Sequence, residues 1–174
     1  MGLFSRKKKE PEKPKEEKIT FDSPLGTFYY INNPPTDEFG YECYINLAAN
    51  GAQEQEVSVY IDADTPDTTQ AGRCYARLEE LVADWYRVSY EISHLAAGYF
   101  MRKPGMFNGN YTEQMLAEDM RICCLGVFRN GDTQFSLDTC GIYADMVSVT
   151  RHADGSKDIE YISMDGHNKT VDKL

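Results

Sequence analysis

Cysteine and histidine are the side chains of this sequence that could do covalent or metal chemistry, with five cysteines and three histidines in 174 residues. The cysteines are Cys43, Cys74, Cys123, Cys124 and Cys140. Their number is odd and no export signal precedes them, so we expect reduced thiols in a cytoplasm. No Cys-x-x-Cys spacing or paired histidine occurs, so no zinc site is predicted. Because free cysteine is often buried, we expect all five to be small core residues.

A nucleophile with a neighbouring base would be the simplest catalytic arrangement, and Cys140 with His152 is the pair that could form one. No known nucleophile signature surrounds either residue. His94 adjoins an apolar helical stripe, which favours a packed structural role. His152 and His167 lie in or beside turns and are expected to be solvated. The sequence also lacks a phosphate loop and a dinucleotide fingerprint, so neither a catalytic residue nor a cofactor is predicted.

Two acidic segments are candidates for binding a partner. The segment "DADTPD" resembles a cation loop, but the glycine and the distal glutamate of a calcium loop are absent, so no metal is predicted there. Aromatic residues supply anchoring area in interfaces and carboxylates supply orientation. The predicted partner-binding residues are Asp37, Glu38, Phe39, Tyr41, Glu42, Asp62, Asp64 and Asp67.

Charge is distributed unevenly along the chain. Residues 6–18 contain seven basic and four acidic side chains, which leaves the remainder with 11 basic and 24 acidic ones, a net charge of −13. A domain with this negative charge repels phosphate backbones, which argues against nucleic acid as a partner. It favours a basic protein, because complementary charge accelerates association.

The opening stretch "MGLFSRKKKEPEKPKEEK" has no apolar run of the length that a secretory signal needs. Its alternating lysines and glutamates around Pro11 and Pro14 are typical of a solvated tail. Leu3 and Phe4 beside the basic run could at most give weak peripheral contact with an anionic membrane. We therefore expect a disordered charged tail over 1–18 and one domain over 19–174.

Hydrophobic patterning predicts the elements of that domain. Short runs rich in tyrosine, phenylalanine, valine and isoleucine indicate three or four antiparallel strands before residue 62. Thr65 is the predicted N-cap of a helix that follows, with Pro66 at its first position. Thr112 is the predicted cap of a shorter helix. Apolar residues at three- and four-residue steps predict one long or broken helix, packed on a sheet rather than in a coiled coil. They are Cys74, Leu78, Leu81, Trp85, Val88, Ile92, Leu95 and Tyr99.

The sequence pattern from Arg121 onward predicts three more strands, with hairpin turns at Asn130-Gly131 and in "HADGS". The order of strands, helices and strands predicts an α+β fold. We expect a mostly antiparallel sheet of about six or seven strands, with the central helix and the short helix on one face.

The stretches "FDSPLGTF", "FSLDTCGIYADMVSV" and "DIEYISMDG", with Trp85 in the helical middle, resemble a family of small bacterial cytoplasmic proteins catalogued as a domain of unknown function. The resemblance covers about residues 19–166. In that family an aromatic residue, a glycine and a histidine often precede the penultimate strand, whereas Tyr143, Ala144 and Asp145 stand here. The resemblance implies no established activity, although some similar small proteins are immunity factors that block toxins.

These observations favour a cytoplasmic, non-enzymatic module that binds a basic protein, and an immunity-like role is one form that this function could take. Two alternatives stay open: a cysteine-dependent enzyme, and a peripheral membrane adaptor tethered by residues 1–18. The sequence leaves the oligomeric state undetermined.

Overall fold

A computed structural model describes residues 18–33, 38–48, 54–103, 111–139, 146–163 and 168–174 of the chain. Within these ranges the protein is α+β, with three helices and nine strands in one sheet. The strands are β1 (Thr20–Ser23), β2 (Gly26–Asn33), β3 (Glu38–Ala48), β4 (Glu54–Asp62), β5 (Arg121–Val127), β6 (Thr133–Asp138), β7 (Met146–Arg151), β8 (Lys157–Ile162) and β9 (Lys169–Lys173). The helices are α1 (Thr68–Ala83), α2 (Trp85–Met101) and α3 (Glu113–Asp119). The predicted tail, apart from Lys18, lies outside the described residues.

The strands lie in the sheet in their chain order, β1 to β9. Every neighbouring pair is antiparallel except β4 and β5, which run parallel from Ser58 beside Cys124 to Ile61 beside Val127. A parallel pair needs a crossover, and the three helices supply it. The sheet is therefore two antiparallel meanders joined at a central parallel pair.

The predicted α+β class and mostly antiparallel sheet are confirmed, but the strand number of six or seven is too low. The segment up to residue 62 contains four strands, in agreement with the predicted three or four, whereas the last third contains five strands, β5 to β9, and not three. The strand β9 was not predicted, because "KTVDK" has a single apolar residue and pairs through its backbone with β8.

One face of the sheet carries the core. The apolar residues of α1 and α2 pack there against alternate residues of the strands, which include Val59, Leu125 and Phe135 at 0% exposure. The predicted helical stripe is buried as expected, and Leu95 is the one member that is only partly buried. The helix is broken at Asp84. Sheet packing therefore accounts for the breadth of the stripe.

The helix caps differ at one of the two predicted positions. The cap of α1 is Asp67 and not Thr65, because the Asp67 carboxylate accepts a hydrogen bond from the Thr69 amide at 2.8 Å. Thr112 caps α3 as predicted, through a hydrogen bond from the Met115 amide. Among the described residues no helix is long and apolar enough to cross a membrane.

Both predicted hairpin turns of the last third are confirmed. They connect β5 to β6 and β7 to β8. Each contains a glycine with positive φ, +91° at Gly131 and +88° at Gly155, a backbone conformation that other residues adopt at a cost. These turns bring two hairpin ends together at the same end of the sheet.

Candidate functional site

The face of the sheet opposite the helices, here called the open face, has no helix packed against it in the described part of the chain. Alternation along each strand places mostly polar, small and tyrosine side chains there, with Met146 and Val171 as exposed apolar residues. Two neighbouring cross-strand rows form its middle. One row is Tyr29, Glu42, Tyr60, Gly126, Gln134, Thr150 and Asp158, and the other is Tyr44, Ser58, Cys124, Ser136, Ser148 and Glu160.

Tyr29, Glu42 and Tyr44 form an acidic aromatic group at one end of these rows, here called the tyrosine patch. Tyr29 is 44% exposed and Tyr44 is 59% exposed. The Tyr44 hydroxyl donates to Glu42 Oε1 at 3.2 Å, and this hydrogen bond raises the pKa of Tyr44. Ser58 Oγ donates to the same oxygen at 3.1 Å. The hydroxyls of Tyr44 and Ser58 thus orient the Glu42 carboxylate, next to the exposed rings of Tyr29 and Tyr44.

A cation already contacts one of these rings. The Lys18 ammonium lies 5.3 Å from the centroid of Tyr29. At this distance the negative face of an aromatic ring attracts a positive charge. The tyrosine patch therefore offers both a carboxylate and an aromatic face to basic side chains.

Small side chains occupy the centre of the open face. Ser58 and Ser136 are the cross-strand partners of Cys124 on either side. Ser136 Oγ and Ser148 Oγ lie 3.3 Å apart. Hence no bulky side chain flanks Cys124 on the two neighbouring strands at its own level.

Cys123 and Cys124 lie at a bulge in β5. The register shifts between Ile122, which pairs with Leu137, and Cys124, which pairs with Ser136, so Cys123 has no cross-strand partner of its own. The Cys123 thiol lies 3.4 Å from the Ser136 carbonyl oxygen, to which it can donate. Cys124 is exposed and Cys123 is half-buried.

The two thiols also interact with each other. Interaction with the Cys123 thiol lowers the pKa of Cys124 to about 7, although partial burial and the charge of Glu42 oppose the shift. The same interaction, together with burial, raises the pKa of Cys123. Cys124 is therefore the thiol that ionises first.

The expectation that every cysteine is buried is correct for Cys43 and Cys74 and wrong for Cys124. Burial raises the pKa of both buried thiols. Cys124 is exposed because it points to the open face, where no helix covers it. Cys140, the candidate nucleophile, lies outside the described residues.

The predicted acidic loop is held by intramolecular contacts. Arg129 Nε lies 3.0 Å from Asp62 Oδ2, and its two terminal nitrogens contact both carboxylate oxygens of Asp64. The Arg129 amide donates to Asp62 as well. With Asp67 capping α1, all three carboxylates already have partners within the protein.

The other predicted partner-binding residues lie on β3 or just before it. Tyr41 is 0% exposed, and its hydroxyl donates to the Pro66 carbonyl at 2.6 Å, so it belongs to the core. Phe39 is half-buried, and Glu42 lies in the tyrosine patch. Asp37 and the side chain of Glu38 lie outside the described residues. Of the predicted set, Glu42 and Asp62 are the described carboxylates on the open face, and Asp62 is paired with Arg129.

His94 lines a groove of about 400 Å³ between α2 and α3. Its Nδ1 is 3.3 Å from Glu113 Oε1, and its ring lies 4.1 Å from that of Tyr90. Gly98 also lines the groove, and a Cβ atom there would lie 3.3 Å from Glu113 Oε2. His94 is packed and hydrogen-bonded as expected, so the groove is shaped by structural contacts.

His152 was expected to be solvated, but both of its ring nitrogens contact carboxylates. Nδ1 lies 3.0 Å from Asp132 and Nε2 lies 2.9 Å from Asp158. Neither nitrogen is left to accept a proton from a thiol. His167 lies outside the described residues.

The sequence did not single out Tyr29, Tyr44 or Cys124. Alternation along "GYECYINL" could have placed Glu42 and Tyr44 on one face and Tyr41 on the other. No such signal exists for Cys123 and Cys124, because a bulge changes which residues share a face.

Within the described residues no group of three or more histidine, cysteine, aspartate or glutamate side chains is arranged to hold a metal ion. Comparisons with protein-family models, with curated proteins and with solved structures find no match to this chain.

Proposed function

We propose that the protein is a non-enzymatic binding module that presents the open face of its sheet, anchored by the tyrosine patch, to a basic protein. The observation that carries this proposal is the pair of exposed tyrosines next to Glu42, with Tyr29 opposite it on β2 and Tyr44 two residues further along β3. Tyrosine is enriched among residues that dominate binding energy, because its ring buries a large area and its hydroxyl can pair.

The charge of the open face supports a basic partner. Eight acidic side chains and three basic ones lie on this face in the described strands. The acidic residues are Asp22, Glu42, Glu54, Glu56, Asp62, Asp138, Asp158 and Glu160, and the basic residues are Arg121, Lys169 and Lys173. A face of this charge accelerates the approach of a basic surface and slows that of an acidic one. A basic toxin that the module blocks is the partner we propose, in line with an immunity role in the cytoplasm.

The structure offers less support for the two alternatives. A cysteine-dependent enzyme needs a base near its thiol, and both nitrogens of His152 are bound by carboxylates. A membrane adaptor would depend on the tail over residues 1–18, of which Lys18 alone lies in the described part of the chain. The tyrosine patch is a specific arrangement on the described surface, and we therefore favour protein binding.

A capture experiment with matched variants tests the proposal. The full chain is immobilised, proteins from the native cell are captured, and the partner is purified for titration against Tyr44→Ala and Glu42→Lys. We expect a basic partner and a weakening of about 10-fold or more for each variant, as is usual for central interface residues. Association should slow steeply with added salt, because steering between charged surfaces is screened.

Tyr86→Ala and Glu79→Lys are the matched controls. Tyr86 is 63% exposed, similar to Tyr44, but it lies on α2, and Glu79 is an exposed carboxylate on α1. Both control variants should bind as the unmodified protein does. An acidic partner, or a loss of binding with Tyr86→Ala rather than Tyr44→Ala, would overturn the proposal.

A further inference from the structure

We propose that residues 6–9 of this chain, here called the basic segment, dock in cis on the half of the open face that β1 to β4 form around the tyrosine patch. The docked segment covers the surface that the proposed function assigns to a basic partner, so the partner must displace it. That consequence rests on the proposed function, whereas the docking itself is a property of the isolated chain.

The tail joins the domain at this surface. The Ile19 carbonyl accepts a hydrogen bond from the Tyr30 amide at 2.9 Å, so the chain already runs beside β2 at residue 19. Lys18 lies two residues before Thr20 and therefore on the same, open face. Its ammonium is 5.3 Å from the ring centroid of Tyr29. A cation of the tail itself thus contacts the tyrosine patch.

The half of the face next to Lys18 carries negative charge that no cation of its own strands offsets. The strands β1 to β4 contain no lysine or arginine. Their described acidic residues on the open face are Asp22, Glu42, Glu54, Glu56 and Asp62. Arg129 pairs with Asp62, but Glu42, Glu54 and Glu56 form no ion pair with another described residue. This half is therefore the place where added positive charge gains most.

The opposite half of the face already contains its own cations. Asp158 lies 2.9 Å from His152 Nε2, and Glu160 lies 2.7 Å from Lys169 Nζ. The basic residues of the face also lie on that side, on β5 and β9. A cationic segment consequently has less to gain there than on β1 to β4.

The charge pattern of the tail selects the segment that docks. Residues 10–17 contain four glutamates and two lysines, so an acidic surface repels them on balance. The basic segment has four consecutive positive charges, Arg6, Lys7, Lys8 and Lys9. Opposite charge attracts it to the half that repels residues 10–17. We therefore assign the contact to residues 6–9 and the role of a linker to residues 10–17.

The chain is long enough for this contact. Three inter-strand spacings of about 4.8 Å separate β1 from β4, which makes about 14 Å. The nine peptide units from Lys9 to Lys18 span up to about 30 Å when they are extended. Tethering also keeps the segment at an effective concentration on the order of mM, which compensates for the weakness of single exposed ion pairs.

Cross-linking of the full chain with a water-soluble carbodiimide tests the contact, because this reagent joins an amine directly to a carboxylate. Peptide mapping by mass spectrometry locates the joined residues. We expect the lysines of the basic segment to be joined to Glu42, Glu54 or Glu56 at least about fivefold more often than to Glu79 on α1 or Glu118 on α3, two exposed carboxylates away from the open face. The preference should disappear in about 0.5 M salt, where the screening length is only a few Å.

A mixture of unlabelled and ¹⁵N-labelled chains separates docking in cis from docking on a second copy. Cross-links within one chain join peptides of the same isotope, whereas cross-links between copies also give mixed pairs. We expect pairs of a single isotope at low protein concentration.

Ring signals of ¹³C-labelled tyrosine give a second, independent measurement. The unmodified chain is compared with a full-length variant that changes only the basic segment, with Arg6→Gln, Lys7→Gln, Lys8→Gln and Lys9→Gln combined. We expect the signals of Tyr29 and Tyr44 to shift and that of Tyr86, which is 63% exposed on α2, to stay in place. The control, Lys13→Gln combined with Lys15→Gln in the linker, should shift the two signals less.

Three results would overturn the inference. They are an equal yield of cross-links to the open face and to the helices, cross-links of mixed isotope in the proportion expected for separate copies, and unchanged signals of Tyr29 and Tyr44 in the glutamine variant. The outcome is also distinct from that of the proposed function. Docking observed when no basic partner is captured would reject the proposed function and support this inference, and a captured basic partner without these cross-links would do the reverse.

Discussion

The Nε2 atom of His152 lies 2.9 Å from a carboxylate oxygen of Asp158, across the turn between β7 and β8. The opposite ring nitrogen lies 3.0 Å from Asp132, in the turn between β5 and β6. An imidazole can donate from both nitrogens only when it is protonated. The hydrogen bonds to Asp158 and then Asp132 accordingly raise the pKa of His152, and the charged ring connects the two hairpin ends.

We predict that this connection stabilises the protein more in mild acid than in base. A raised folded pKa means that the contribution is fully present below the unfolded value of about 6.5 and is lost as pH rises through the folded value. The melting temperature of the unmodified protein should exceed that of His152→Gln most at about pH 6, and the difference should shrink by about pH 9. The melting-temperature difference between the unmodified protein and Asp158→Asn should also shrink as pH rises, but by a smaller amount. A melting-temperature difference that grew with pH for either variant would contradict this account.

The C-terminal strand β9 is attached to α2 by a charged cluster. Lys103 Nζ lies 2.8 Å from Asp172 Oδ2, and the Tyr99 hydroxyl donates to the same oxygen. The hydrogen bonds from Lys103 and Tyr99 lower the pKa of Asp172. Because β9 is an edge strand with a single neighbour, these contacts hold it from the side of the helices.

We predict that Asp172→Asn destabilises the protein at neutral pH and has less effect in acid. A lowered folded pKa gives stability that is present above the unfolded value of about 3.9 and is lost as pH falls through the folded value. The melting temperature gap between the unmodified protein and Asp172→Asn should therefore narrow from about pH 6 to about pH 3. Glu79→Gln, at an exposed position of α1, is the control and should change the melting temperature little at neutral pH.

The sequence predicted the fold class well because two signals were strong. The three- and four-residue spacing from Cys74 to Tyr99 described a buried stripe, and Asn130-Gly131 marked a tight turn. The polar strand β9 was not predicted, because its place in the sheet depends on backbone pairing with β8 and not on apolar residues of its own. The shift of the cap from Thr65 to Asp67 shows that several capping residues in a row leave the helix start ambiguous by a few residues.

The candidate site was less predictable than the fold. The acidic segments were identified by composition, but composition does not show that Arg129, 67 residues from Asp62, neutralises one of them. Tyr41 and Glu42 are neighbours in the sequence and lie on opposite faces of the sheet. The exposure of Cys124 depends on which face is left without helices, and local sequence does not contain that information.

The variant Arg129→Ala tests whether the acidic loop or the tyrosine patch is the surface that contacts the partner. The variant frees Asp62 and Asp64, which Arg129 now contacts. We expect it to leave affinity for the basic partner nearly unchanged, because the proposed contact is centred on Glu42. These ion pairs are partly exposed, so the expected loss of unfolding free energy is about 1 kcal/mol. An affinity gain of about 10-fold, measured by titration, would instead indicate that the loop binds the partner.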